Sequence, residues 1–231
     1  MAEERPVVLS LGGSILIQDQ SDASYLRALV SLLKEIARTR RLGVVVGGGR
    51  TARQYIQLGR ELGLTEIELD ELGIEVTRLH ARLLAQLLAP LAPGNPPTTI
   101  VEAAASLSTH PMVILGGTEP GHTTDGVAAV LAERVRAERL VNATRTGGIF
   151  SADPAKDPAA RRIDRLSLGD FQKMVEAGGA GHAGQEFIFD RLGAERLHRA
   201  RIPLAVVDGR DLTQLRAALL GEPFRGTWVH G

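Results

Sequence analysis

The chain has 231 residues, 44% of them hydrophobic and 23% charged, with 27 basic against 27 acidic side chains and no cysteine. That length suits one sizeable domain or two small lobes, and the apolar content is too high for a disordered chain. A disulfide framework and a thiolate metal site are excluded. So is a nonspecific nucleic-acid binder, because a zero net charge lacks the basic excess that displaces counterions. Only Lys34, Lys156 and Lys173 are lysines, so basic chemistry falls to arginine. Glycine is enriched, at 26 residues. The opening MAEERPVVLSLGG lacks a basic stretch followed by a long apolar one, and no apolar run reaches the ~18 residues of a membrane span. A soluble, cytoplasmic protein with neither membrane nor nucleic-acid partner is the expectation.

In chain order, Pro6–Leu11 is a short apolar run that reads as a buried strand ending at Gly12-Gly13. Asp22–Arg41 has apolar positions at helical spacing, among them Leu26, Leu29, Leu33 and Ile36. Leu42–Val46 is a second buried strand closed by Gly47-Gly48-Gly49, followed by a helix over Thr51–Leu62 and a longer one over Asp70–Leu91. Pro90, Pro93, Pro96 and Pro97 then interrupt the chain. Pro111–Leu115 is a third strand and again meets glycines, Gly116-Gly117; Asp125–Ala137 reads as a helix with Thr124 as N-cap. Leu140–Ala143 and Pro203–Val207 are further strands. Apolar strands ending in glycine turns that lead to helices spell a mainly parallel sheet sandwiched by helices, a three-layer αβα arrangement. The stretch Thr144–Asp190 is richer in Pro, Asp and Gly and reads as the start of a second lobe, dividing the domain near residues 1–143 and 144–231.

A glycine turn entering a helix presents unpaired N–H groups and a positive dipole end, which suits phosphate. One such turn also serves plain strand-to-helix geometry. Three of them, at Gly12–Ser14, Gly47–Gly49 and Gly116–Gly117 with Gly121, would gather at the carboxyl edge of a parallel sheet, where ligands bind. Two phosphorylated ligands or one polyphosphate would fit. A rival reading takes Gly47-Gly48-Gly49-Arg50-Thr51-Ala52 as a G-x-G-x-x-A dinucleotide fingerprint, with Asp70 as its acid. Against it, the motif follows the second strand, and the other glycine turns are left unexplained.

The strings VVLSLGGSIL, VVVGGGRTARQYI, LDELGIEVTRLHARLL, GGTEPGHTTDGVAAVLAE and NATRTGGIFSADPAKDP, with the closing GTWV, span nearly the whole chain. In order and spacing they resemble the archaeal-type uridylate (UMP) kinases of the amino-acid kinase superfamily. The resemblance implies transfer of the ATP γ-phosphoryl to UMP, giving UDP for pyrimidine biosynthesis, with Mg²⁺ and in a homohexamer. Such chemistry asks a protein mainly for positioning and charge neutralisation.

By the same resemblance, Ser10, Leu11, Gly12, Gly13, Ser14 and Gly49 line the ATP phosphates, and Gly48 lies near the UMP phosphate. Arg53 bridges donor and acceptor phosphates; its other reading is a solvated helix arginine, a reading that weighs more heavily still for Arg50. Asp70 accepts from the UMP ribose or, read as an isolated residue, caps the following helix. The loop Thr118, Glu119, Pro120, Gly121, His122, Thr123 and Thr124 holds uridine and its phosphate, with His122 a packing residue and not a proton carrier. Asp125 orients the metal or satisfies helix N–H groups, so it joins Arg53 in the catalytic set. Thr144, Arg145, Phe150 and Asp153 match the adenine and ribose portion of the ATP site, where Phe150 offers a ring face. No residue is assigned as a direct metal ligand. His80, His110, His182, His198 and His230 show no ligand spacing and read as structural or surface.

Three positions depart from the family pattern. A lysine two residues before the first glycine is replaced by Ser10, an aspartate in the ATP loop by Gly147, and a helix lysine by Glu195. These leave open a non-catalytic nucleotide- or oxyanion-binding relative, or a kinase for another small phosphate.

Overall fold

The computed structural model describes residues 5–17, 23–152, 154, 156–178 and 189–231. In chain order these form β1 (Val7–Leu11), α1 (Gly13–Leu16), α2 (Ala23–Ile36), β2 (Leu42–Val46), α3 (Gly49–Glu61), α4 (Glu66–Leu88), α5 (Ile100–Thr109), β3 (Met112–Leu115) and α6 (Thr124–Arg134). There follow β4 (Arg139–Thr144), β5 (Ile149–Phe150), β6 (Arg162–Ile163), β7 (Arg165–Ser167), α7 (Leu168–Ala177), α8 (Arg191–Ala200), β8 (Leu204–Asp208), α9 (Leu212–Leu220) and β9 (Gly226–His230). One seven-stranded sheet runs β3-β2-β1-β4-β8-β9-β7, and β5 pairs with β6 in a separate hairpin. Every pairing from β3 through β8 is parallel; β9 turns back antiparallel to β8.

The apolar runs are continuous because both sheet faces are covered. Val7, Leu9 and Leu11 of β1 face the layer of α2, α4 and α9, with Leu29, Leu33, Leu84, Leu88, Leu215 and Leu219. Val8, Val45, Val113 and Leu115 face the opposite layer of α5, α6, α7 and α8, with Leu107, Val127, Leu131, Phe171 and Leu197. Fully burying one such side chain stabilises by about 1.5–3 kcal/mol. The three-layer expectation holds. No helix among the described residues is long and apolar enough to cross a membrane.

Several boundaries move. The longer helix begins at Glu66 instead of Asp70, because Thr65 and Glu68 form a reciprocal capping box. It ends at Leu88, with Ala89 as C-cap immediately before Pro90. α6 starts one residue early, and its cap is Thr123, whose hydroxyl accepts the Gly126 N–H at 3.1 Å, and not Thr124.

Candidate active site

Register places the strand ends level. Leu11 lies beside Val46 and Ala143, Val45 beside Leu115, and Thr144 beside Asp208. The glycine turns that follow β1, β2 and β3 therefore leave from one edge of the sheet. Two of them are in contact. A Cβ on Gly13 would stand 2.3 Å from the Gly47 carbonyl oxygen and 2.3 Å from the Gly49 nitrogen. Gly49 also has a φ of +59°, in the left-handed region that glycine tolerates. The two turns thus pack backbone against backbone, with no room for a side chain at Gly13. The backbone N–H groups of the first turn of α3 have no partner within the helix by its geometry, and its dipole adds positive charge.

Arg53 lies in the second turn of α3, half-buried. Among the described residues its guanidinium makes no hydrogen bond or ion pair, so its charge is available to a ligand at the turn. Arg50, in the first turn of the same helix, is exposed.

Asp125 is built from three segments. Ser10 and Asn142 are register partners on β1 and β4, only 2% and 3% exposed, and both face the α6 layer. The Ser10 hydroxyl donates to the Asp125 carboxylate at 2.6 Å and the Asn142 amide at 3.4 Å. Among the described residues no cation compensates it. Burial, joined by the nearby Asp190 charge, outweighs these two hydrogen bonds and raises the Asp125 pKa above the ordinary aspartate value. Among the described residues Asp125 thus accepts no helix N–H, and the cap of α6 is Thr123, which corrects the helix role offered for Asp125 from sequence. Asp190, to which the sequence reading gave no role, caps α8 through the Gly193 N–H at 2.7 Å and accepts the Thr123 hydroxyl at 3.0 Å.

Asp70 sits one turn inside α4, which removes the capping role left open for it. Its Oδ2 accepts the Gly121 N–H at 2.8 Å, holding the Thr118–Thr124 loop against the helix. Its Oδ1 has no hydrogen bond among the described residues. This geometry, with the glycine triplet after β2 instead of β1, does not carry the dinucleotide reading. In the loop His122 stands 3.4 Å from Glu119, and Thr124 lies beside Gly47.

Around β4 and β8 the second cluster forms. Thr144 ends β4, and its hydroxyl accepts the Gly147 N–H at 3.2 Å. Arg145 is exposed, and its carbonyl accepts from Arg210, which also pairs with Asp208 at 2.9 Å. Gly147 has a φ of +71° and packs against Asp208. Phe150 is half-buried in the β5–β6 hairpin, opposite Arg162. Asp153 lies outside the described residues, as does His182. Glu195 is on the exposed side of α8. His80, read as structural, is buried with its ring nitrogen 2.9 Å from the Gly47 carbonyl oxygen.

No group of three His, Cys, Asp or Glu residues among those described is arranged to hold a metal. A divalent ion that arrives on ATP needs no such cage, since it keeps several waters and binds through phosphates and few carboxylates.

The profile described as the amino acid kinase family matches residues 5–208. A uridylate kinase of Methanospirillum hungatei is 45% identical over 223 residues, covering 96% of this chain and 94% of that protein. One from Thermoplasma volcanium is 41% identical, with 94% of each chain covered. Among solved structures, the uridylate kinase of Archaeoglobus fulgidus superposes with a TM-score of 0.86 at 38% identity, over 97% of this chain and 99% of that one. Residues 5–208, the sheet order and these relatives lead to one assignment: the chain belongs to the amino acid kinase family.

Proposed function

We propose that the chain is a uridylate kinase that moves the γ-phosphoryl of MgATP onto UMP, giving UDP and ADP. The observation that carries this reading is the contact of the Gly12–Ser14 and Gly47–Gly49 turns at one sheet edge, with Arg53, which has no partner among the described residues, one helical turn on in α3, and with the loop after β3 tied to α4 by the Asp70–Gly121 bond. Uridylate kinases with this fold match over nearly the full length. A phosphate oxygen of UMP is already a competent nucleophile, so no strong base is needed. What the site must supply is alignment and charge.

In this reading Ser10 to Ser14 and Gly49 cradle the ATP phosphates, Arg53 spans the transferring group, and Gly48 meets the UMP phosphate. Mg²⁺ enters with ATP as part of that substrate. Asp70 Oδ1 takes a ribose hydroxyl, and Thr118–Thr124 closes over uridine. Thr144, Arg145, Phe150 and Asp153 receive the nucleoside of ATP, which makes residues 1–143 the acceptor lobe and 144–231 the donor lobe. Six copies assemble, and the work is done in the cytoplasm, where both substrates are found; cell fractionation reads the latter.

The experiment that tests the assignment is steady-state kinetics on Asp70→Asn with each substrate varied. Losing a charge-assisted acceptor costs about 1.5–3 kcal/mol, so the UMP KM should rise roughly 10-fold or more while the ATP KM holds. The parent should disfavour 2′-deoxy-UMP and the variant should lose part of that preference. An unchanged response to UMP with a lowered Tm would leave Asp70 a structural tie and remove the ribose assignment.

A further inference from the structure

α4 carries two buried polar side chains that the proposed reaction leaves unused. Thr77 and His80 are 6% and 5% exposed and stand three residues apart, on one face of the helix. Each reaches a different glycine turn. The Thr77 hydroxyl accepts the Gly117 N–H at 2.6 Å and donates to the Ile74 carbonyl at 2.6 Å. His80 Nδ1 lies 2.9 Å from the Gly47 carbonyl oxygen. A carbonyl can only accept, so Nδ1 carries the proton in this bond.

The fit is close on both sides. A Cβ on Gly116 would stand 2.5 Å from the Thr77 hydroxyl, and one on Gly48 would stand 3.4 Å from the Thr77 methyl. Asp70, on the same helix, ties Gly121 through its own 2.8 Å bond. Buried polar side chains are ordinarily satisfied somewhere in the core, so a partner alone says nothing of function. Here, however, the partners are the turn after β2 and the turn after β3, two elements that must keep a fixed separation if they hold the two reacting nucleotides.

We infer that Thr77 and His80 are positioning residues for phosphoryl transfer, with α4 acting as a bar that sets the distance between the Gly47–Gly49 and Gly116–Gly117 turns. This rests on the uridylate kinase reading, which makes Gly47–Gly49 a phosphate site and puts uridine against Thr118–Thr124, the loop that Gly116–Gly117 opens. Neither residue touches the substrates. Each acts through a backbone group of a turn that holds or leads into a substrate contact, and small misplacements of aligned reactants are costly.

Four variants separate alignment from packing. Thr77→Val keeps the shape and leaves the Gly117 N–H unpaired, while Thr77→Ser keeps the hydroxyl. His80→Leu keeps bulk and loses the donor; His80→Asn places an amide N–H close to where Nδ1 stands. Thr77→Val should raise the UMP KM about 10-fold with little change in the ATP KM, and His80→Leu should lower kcat about 10-fold or more. Thr77→Ser and His80→Asn should each return to within about threefold of the parent. Amide exchange should show the Gly117 N–H losing protection in Thr77→Val, a change independent of turnover.

If His80→Leu does not fold, His80→Gln replaces it, carrying its amide one methylene too far, and kcat should then rank His80→Asn above His80→Gln. Kinetic constants equal to the parent's at temperatures well below each variant's Tm would overturn the inference. So would a His80→Asn protein no better than His80→Leu, since bulk alone would then matter. A folded parent that does not phosphorylate UMP overturns both this inference and the reading it rests on; an active parent with kinetically silent variants overturns the positioning role alone.

Discussion

Arg53 is half-buried on α3 and makes no hydrogen bond or ion pair among the described residues. A cation with no internal partner to give up is free to neutralise charge that develops on a transferring group. Arg53→Ala should lower kcat by about 10²-fold or more, because single electrostatic stabilisers contribute a few kcal/mol. Steady-state turnover within twofold of the parent would return the side chain to surface solvation. Asp125 presents the opposite problem, a carboxyl with two hydrogen bonds and no counter-charge among the described residues. Its pKa is raised on folding, burial being the main cause, so the fold holds that proton more tightly than the unfolded chain does. Its contribution to stability is present at low pH and is lost as pH climbs from the ordinary aspartate value through the raised one. Asp125→Asn removes that loss. Calorimetry from pH 4 upward should show the variant gaining Tm on the parent as pH rises, while turnover falls about 10-fold or more. A Tm difference that is flat with pH would show that Asp125 titrates normally. The sequence gives no sign of this cluster, because Ser10 and Asp125 meet only through the pairing of β1 with β4 and the packing of α6 on them.

The elements divide by how local their cause is. Continuous apolar runs closed by glycine mark β1, β2 and β3 to within a residue, since burial on both faces leaves no room for polar alternation. The α4 start was also written locally: Thr65-Glu66-Ile67-Glu68 has the spacing of a capping box, as does Thr99-Ile100-Val101-Glu102 at the start of α5. Periodicity alone misplaces the first and passes over the second, a 10-residue helix. By contrast β9 runs antiparallel beside β8, and β7 pairs with it over three residues, so the pairing depends on partners far away in sequence. Such short segments carry little pattern of their own. Of the proposed site, the glycine turns, Arg53 and Asp70 were named from spacing and resemblance. Thr77 and His80 were not, because a buried threonine or histidine reads the same whether it ties a core or a reactive turn.

At the scale of the molecule, large apolar side chains remain exposed along α3 and α4, Leu62 at 75% and Leu79 at 64% among them, together with Tyr55 and Leu58. A monomer rarely leaves such surface to water, and closed symmetric assemblies are the common way to cover it. Sedimentation equilibrium at micromolar concentration should give the mass of six chains; a monomer would contradict the homohexamer. The central claim is narrower than assembly: the edge of this sheet selects UMP and passes it a phosphoryl group from MgATP. It is tested most directly by ADP release from folded protein with MgATP and, in turn, UMP, CMP, AMP and GMP, with the product of each reaction identified by phosphorus NMR. The account predicts rapid ADP release with UMP, matched one for one by the β-phosphorus of UDP, and little with the other three. No turnover with UMP, or ADP release accompanied only by inorganic phosphate, would contradict it.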